Sequence, residues 1–282
     1  MNIGTIGIWA PSATVVGNFG TDNVAEFESL GYGAMWLGSA RGDLQLAESL
    51  LRATNSIVIA TGIVNIWTEP AQTVAASFNR LYDKYPGRFL LGLGAGHREH
   101  NGEVYSHPLE ALRSYLDALD DSDHPVPADQ RIIAALGPKA LQLARCRSVG
   151  AHTYLATADH TRQARETLGA DPILAPEIKV ILESNPGTAR ALARKRVSDP
   201  YLQLHNYTQN LRRLGFDDRD FAEGGSDRLI DALVAWGDES RIAAHIQEHL
   251  DAGANHVCVQ LLTPKGGDVL DGYRRLAPIL IR

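Results

Sequence analysis

Cysteine is nearly absent from this chain. The two present, Cys146 and Cys258, are far apart and each lies in an apolar stretch. They read as buried thiols of a reducing compartment, which excludes a disulfide-stapled scaffold. No run approaches ~18 apolar residues, so no membrane span is expected. The opening MNIGTIGIWAPSA enters a strand pattern without a basic leader, and no signal peptide is expected. Basic residues form no stripe interleaved with aromatics, and the formal net charge is −6 with both signs scattered, which argues against nucleic acid as a partner. No phosphate-loop Lys-Ser/Thr ending occurs. These absences leave a soluble, cytoplasmic globular protein as the expectation.

One metal-like spacing is present. HIQEH, His245 to His249, has the H-x-x-E-H pattern of inverted zinc peptidases. Such a site needs a further acidic ligand downstream, and no glutamate follows Glu248. On a helical wheel Ile242, Ala243, Ile246 and Leu250 form the buried stripe, with both histidines at its edge. No metal site is expected.

What the chain does have is rhythm. Short apolar runs alternate with longer amphipathic ones through its 282 residues. Strand patterns begin at Ile3–Trp9 and recur in GAMWLG, SIVIATGIV, RFLLGLG, RIIAAL, AHTYLA, EIKVILES and HVCVQLL. Helical patterns lie between them. Asp22 reads as an N-cap, Gly31 as a C-terminal stop, and Pro70 suits a first helical turn. Such alternation predicts a parallel sheet, and eight units closing on themselves make a (β/α)8 barrel. An open doubly wound sheet is the alternative. The stretch from Pro200 to Gly237 breaks the rhythm and reads as a helical insertion before the last strand of one domain spanning 1–282.

In a barrel the chemistry gathers where strands end. That rule selects Trp9, the Gly38 loop, Ile63–Trp67, Gly94–Asn101, Leu136–Gly137, Leu155–Thr157 and Gln260–Thr263. FLLGLGAGHREHN stands out among these, with Gly92, Gly94 and Gly96 at alternate positions. Glycine permits close backbone approach to a ligand, and exposed N–H groups can face an anion. A dinucleotide fingerprint would place a third glycine directly at a helix start; His97 stands there, with a loop behind it. Gly62, inside an apolar strand, marks a bulge or a close approach. Together they predict one flat ligand across neighbouring strands, with the alternative that the glycines serve a strand kink alone.

The segments ATGIV, PGRFLLGLGAGH and AALGPKAL, within a likeness covering nearly the whole chain, resemble the luciferase-like monooxygenases. The likeness is strongest to the deazaflavin (coenzyme F420)-dependent oxidoreductase branch. The resemblance implies a barrel with a helical insertion, holding the cofactor at its C-terminal mouth. It implies a cis peptide at Gly62–Ile63 against which the ring leans. It implies cofactor contacts at Gly94, Ala95, Gly96, His97 and Asn101, and tail contacts near Ala135, Leu136, Gly137 and Thr157. FMN is the alternative cofactor, and a homodimer is implied. Some relatives place an Asp-His pair after the second strand; here Ser39 and Ala40 stand there and cannot move a proton at neutral pH.

A deazaflavin passes a hydride, so the protein must hold a small organic substrate and manage one proton. Histidine titrates nearest neutrality, which makes His97 and His100 the candidate catalytic residues. Trp9, Asn65, Trp67 and His205 are the candidate substrate-pocket residues, and they suit an apolar or cyclic molecule. A barrel that binds cofactor without catalysis is the remaining reading.

Overall fold

The computed structural model describes residues 1–281, the side chain of His100 excepted. Ten strands lie in one sheet. They are β1 (Ile6–Pro11), β2 (Ala34–Gly38), β3 (Val58–Thr61), β4 (Val64–Asn65), β5 (Phe89–Gly94), β6 (Arg131–Ala134), β7 (Gly150–Tyr154), β8 (Ile173–Leu182), β9 (Val234–Gly237) and β10 (Val257–Leu261). All pairings are parallel, as strands buried on both faces by crossover helices require. Eight strands close a barrel: β10 pairs with β1 at Ile6↔Val257 and with β8 at Cys258↔Glu177. The open-sheet alternative is thereby excluded.

The third barrel strand is split. β3 and β4 run along one line but are separated by Gly62–Ile63, whose peptide is cis. The Thr61 hydroxyl fills the break, donating to Gly92 O at 2.8 Å and accepting from Gly92 N at 2.7 Å. A Cβ at Gly92 would stand 1.8 Å from Thr61 O, so this glycine serves the strand junction and not a ligand.

Core packing divides by layer. Most buried apolar side chains lie between sheet and helices, with Leu37, Leu50, Phe78 and Leu116 among them. A smaller set fills the barrel interior, including Trp36, Val58, Ala60, Leu90, Ile132 and Cys258. The excursion has its own core: Leu204, Tyr207, Leu211, Leu229 and Ile230 pack on Ala189, Ala193 and Val197 of helix Pro186–Ser198. Arg190 pairs with Asp231, and Arg194 with Asp227, which ties the two parts together.

Several expectations need correction. The excursion is not helical to Gly237, because VAWG forms β9 and extends the end of β8 at Lys179↔Val234. Strand β8 begins at Ile173 and runs through Pro176, which is tolerated because β10 pairs only from Glu177 onward. Asp22 lies inside helix Gly20–Ser29 and is not its N-cap. Cys146 is exposed and only Cys258 is buried. Among the described residues no helix is long and apolar enough to cross a membrane.

Candidate active site

A cavity of about 950 Å³ opens at the C-terminal ends of the strands. That is near the upper end for small-molecule and cofactor pockets, about 300–1,000 Å³. Its floor is built around Gly62. A Cβ there would stand 2.7 Å from Trp9 Nε1 and 3.2 Å from His152 Nε2, so glycine is what lets both rings pack on the backbone. Both nitrogens are buried and lack a hydrogen-bond partner among the described residues. His152 stacks on Trp36, with ring centroids 4.6 Å apart. Burial lowers its pKa to about 4, opposed by its hydrogen bond to Ala175 O, so the ring is neutral.

One wall is the hairpin after β5. Gly96 has φ +60°, and a Cβ on it would meet Asn101 Nδ2 at 3.1 Å and Asn65 Nδ2 at 3.2 Å. Those two side chains brace the turn. Asn65 Nδ2 donates to Asn101 Oδ1 at 3.0 Å, and Asn101 Nδ2 donates to His97 O at 2.7 Å. Ala95, Gly96, His97 and Asn101 line the cavity beside Ile63. The His97 ring packs against Tyr207 from the excursion at 5.3 Å.

Another part of the lining is cationic. Helix Pro138–Arg147 opens at the cavity with Gly137 as its N-cap residue and no side-chain cap. Unsatisfied N–H groups and the helix dipole favour an anion at such an end. Lys139 and Arg213 line the same end, and Arg213 Nη2 lies 3.8 Å from the Cβ that Gly137 lacks. His160 Nε2 donates to Leu136 O at 2.8 Å and fixes the turn.

The third wall is aromatic over a buried ion pair. Tyr154, Tyr201 and Tyr207 line the cavity. Tyr154 Oη lies 2.8 Å from Tyr201 Oη and donates to Gln260 Oε1 at 3.1 Å, so Tyr201 is the donor of the first bond. Behind them Lys179 Nζ sits 4.0 Å from the Tyr154 ring centroid and 4.9 Å from that of Tyr201. It donates to both Glu177 oxygens at 3.1 and 3.2 Å. Burial pushes the Glu177 carboxyl up, and Lys179 pulls it back.

The cavity therefore gathers Trp9, Gly62, Ile63, Asn65, Ala95, Gly96, His97, Asn101, Ala135, Leu136 and Gly137. Four selected residues stand outside its lining. Gly94 is spaced against Ala134 and Ile63, making room for Ile63. Thr157 spends its side chain capping helix Ala158–Leu168, accepting from His160 N. Trp67 packs one layer back, donating to Ala95 O at 2.8 Å. His205 is exposed, while Asn206 and Tyr207 line the cavity in its stead. The His100 side chain lies outside the described residues. His249 is a packing residue outside the barrel, its Nδ1 2.9 Å from Thr161 Oγ1. Among the described residues no group of three or more His, Cys, Asp or Glu is placed to hold a metal.

Gln260 was selected from its place at a strand end, whereas His152, Tyr154, Glu177 and Lys179 were not. Their signal was there: a Glu and a Lys two apart in the apolar run PEIKVIL point to one side of a strand, and inward in a barrel.

A flat ring with an anionic tail fits this cavity. Trp9 and His152 pack directly on the bare backbone of Gly62, which leaves a flat floor, and a helix N-terminus with Lys139 and Arg213 is part of the same lining. The fold and site define a (β/α)8 barrel with a large cavity at its C-terminal mouth. The family model of the luciferase-like monooxygenases matches residues 19–256, and the chain belongs to that family. Among curated proteins no sequence matches. Solved structures share the fold at low identity. An F420-dependent secondary alcohol dehydrogenase in complex with an F420-acetone adduct is 17% identical over 99% of each chain, with a TM-score of 0.75. The F420-dependent tetrahydromethanopterin reductase of Methanopyrus kandleri is 16% identical over 98% of each chain, with a TM-score of 0.70. The FMN-bound oxygenating constituent of 3,6-diketocamphane monooxygenase from Pseudomonas putida is 16% identical over 98% of this chain and 97% of its own, with a TM-score of 0.67.

Proposed function

We propose that the protein is an oxidoreductase that binds coenzyme F420 in this cavity and passes a hydride between it and a small apolar or cyclic organic substrate. The observation that supports the reading is the make-up of this cavity's lining. It joins a flat floor at Gly62–Ile63 to an uncapped helix N-terminus with Lys139 and Arg213. When bound, the deazaflavin supplies a carbon centre that accepts or gives two electrons as hydride.

The protein's share is positioning. Gly62 and Ile63 support the ring, and Gly96 with its Asn65–Asn101 brace cups it. Gly137, Lys139 and Arg213 hold the phosphate. Two cations beside an uncapped helix N-terminus favour F420, whose tail carries carboxylates beyond the phosphate, over FMN, which ends at its phosphate. The tyrosine wall leaves an apolar, aromatic-lined volume for the substrate.

Titration of apoprotein with each cofactor, followed by ring fluorescence, tests this. F420 binds at least tenfold tighter than FMN at low salt, and the margin shrinks as salt screens the rim. Submicromolar FMN binding with no F420 binding overturns the proposal.

A further inference from the structure

The cationic part of the lining offers an anion backbone as well as side chains. Helix Pro138–Arg147 opens there, and no side chain caps it. Pro138 has no N–H, and Ala140 N already donates to Gly137 O at 3.0 Å. The N–H groups of Gly137 and Lys139 are thus the ones left without an intrahelical partner. Whether Gly137 N–H can meet a ligand depends on which way its peptide is turned.

That peptide is held from behind. His160 Nε2 donates to Leu136 O at 2.8 Å. Leu136 and Gly137 line the cavity, whereas His160 does not and is 2% exposed. The Leu136–Gly137 bond is not among the cis peptides, so its C=O and N–H point in opposite directions. Drawing the carbonyl back to the imidazole therefore directs Gly137 N–H away from it, on the cavity side. Turned over, the same peptide would present its oxygen to an anion and repel it.

Local sequence puts the ring in place. Thr157 caps helix Ala158–Leu168 by accepting from His160 N at 3.2 Å, which fixes His160 in the first turn. Leu136 O can only accept, so Nε2 carries the proton. Burial lowers the His160 pKa, opposed by the Leu136 bond and reinforced by nearby Arg213, so the ring is neutral and Nδ1 is bare. Nδ1 is buried and has no hydrogen-bond partner among the described residues. A leucine here would leave no such stranded nitrogen, so the bond to Leu136 O is what the imidazole adds. Arg213 completes the arrangement from the other side. Its Nη2 lies 3.8 Å from the Cβ position of Gly137 and donates to Asn210 Oδ1 at 3.0 Å.

We propose that His160 is the positioning residue of the anion site: through the Leu136 carbonyl it holds Gly137 N–H on the ligand's phosphate. This rests on the deazaflavin reading above only for what the phosphate is attached to.

The test compares His160→Leu, which removes the donor, with His160→Gln, whose amide N–H replaces it. Ring fluorescence gives the Kd of F420 and of the same deazaflavin ending at its ribityl hydroxyl, without phosphate. In His160→Leu, F420 binds roughly tenfold to hundredfold more weakly, and the phosphate-free compound stays within about twofold of wild type. His160→Gln restores F420 affinity to within about threefold. Equal losses for both compounds, no loss in His160→Leu, or His160→Gln as weak as His160→Leu overturns the assignment. Wild-type apoprotein decides if a variant fails to fold. With ¹⁵N-histidine, His160 is protonated on Nε2 at pH 7; with ¹⁵N-glycine, inorganic phosphate moves the Gly137 amide resonance and chloride at equal ionic strength does not. A proton on Nδ1 instead, or an unmoved Gly137 resonance, overturns the proposal. Protein that binds no deazaflavin while phosphate still moves Gly137 overturns the function proposed above and leaves His160 its role, which separates the two failures.

Discussion

Replacing Lys179 by Met removes one half of a charge pair that water does not reach. Lys179 and Glu177 are 2% and 0% exposed, and Nζ lies 3.1 Å from the nearer carboxylate oxygen. At that separation an effective dielectric near 20 gives about 5 kcal/mol of attraction, and desolvation of each ion costs several kcal/mol. The variant loses the attraction and keeps the desolvated carboxylate, so unfolding free energy falls by about 3–5 kcal/mol at pH 7. Exchanging both members, Lys179→Met with Glu177→Gln, removes the burial cost along with the attraction. That double variant stands within about 1–2 kcal/mol of wild type. Urea unfolding reads all three proteins, with unchanged slopes required for the comparison. The pH dependence has a defined sign. Burial raises the folded pKa of Glu177, and without Lys179 it rises further. The folded single variant then binds more protons than the unfolded chain, so its deficit shrinks as pH falls from 8 toward 5. A single-variant loss below about 1 kcal/mol, or a double variant as weak as the single, refutes the reasoning.

Gly96→Ala forces a Cβ into the left-handed region against Asn65 and Asn101. It costs about 1–2 kcal/mol in urea unfolding and weakens deazaflavin binding at least tenfold by fluorescence titration. Arg213→Ala and Lys139→Ala each weaken that binding roughly tenfold at low salt, about 1.4 kcal/mol, with a smaller effect at high salt. Glu28 accepts from the backbone N–H of Asn55, Ser56 and Ile57. Burial alone would raise its pKa, but those bonds carry it down to about 2. Its contribution is therefore full above the ordinary glutamate value of 4.5 and is lost as pH falls through about 2. Glu28→Gln costs roughly 1–2 kcal/mol at pH 7 after allowance for solvent screening, and it flattens acid unfolding between pH 5 and 2.

The barrel was legible because its strands are buried on both faces and read as unbroken apolar runs. The strand break was legible because Gly62 interrupts one of them. Gly92 and Gly94 show the limit of that signal. Both were selected as ligand glycines, yet one makes room for Thr61 O and the other for Ile63. Glycine spacing announces a close approach without saying to what. Four residues between Pro200 and Gly237 were too short a strand to stand out, and β9 needs β8 beside it to exist. The floor was half legible. Trp9 was picked from its place at a strand end, whereas His152 lies in AHTYLA, where a histidine looks like any interior residue. What sets it apart, a buried Nε2 packed on Gly62 with no hydrogen-bond partner among the described residues, depends on the alignment of β1, β3 and β7 around a closed ring.

Pro200, Tyr201, Asn206, Tyr207, Gln209 and Arg213 all reach the cavity from a single contiguous stretch outside the (β/α)8 frame. A large share of the cavity wall is thus encoded in one stretch apart from the barrel strands. Rewriting that stretch would reshape the wall while the strands below stay as they are, so one frame can carry many differently shaped mouths.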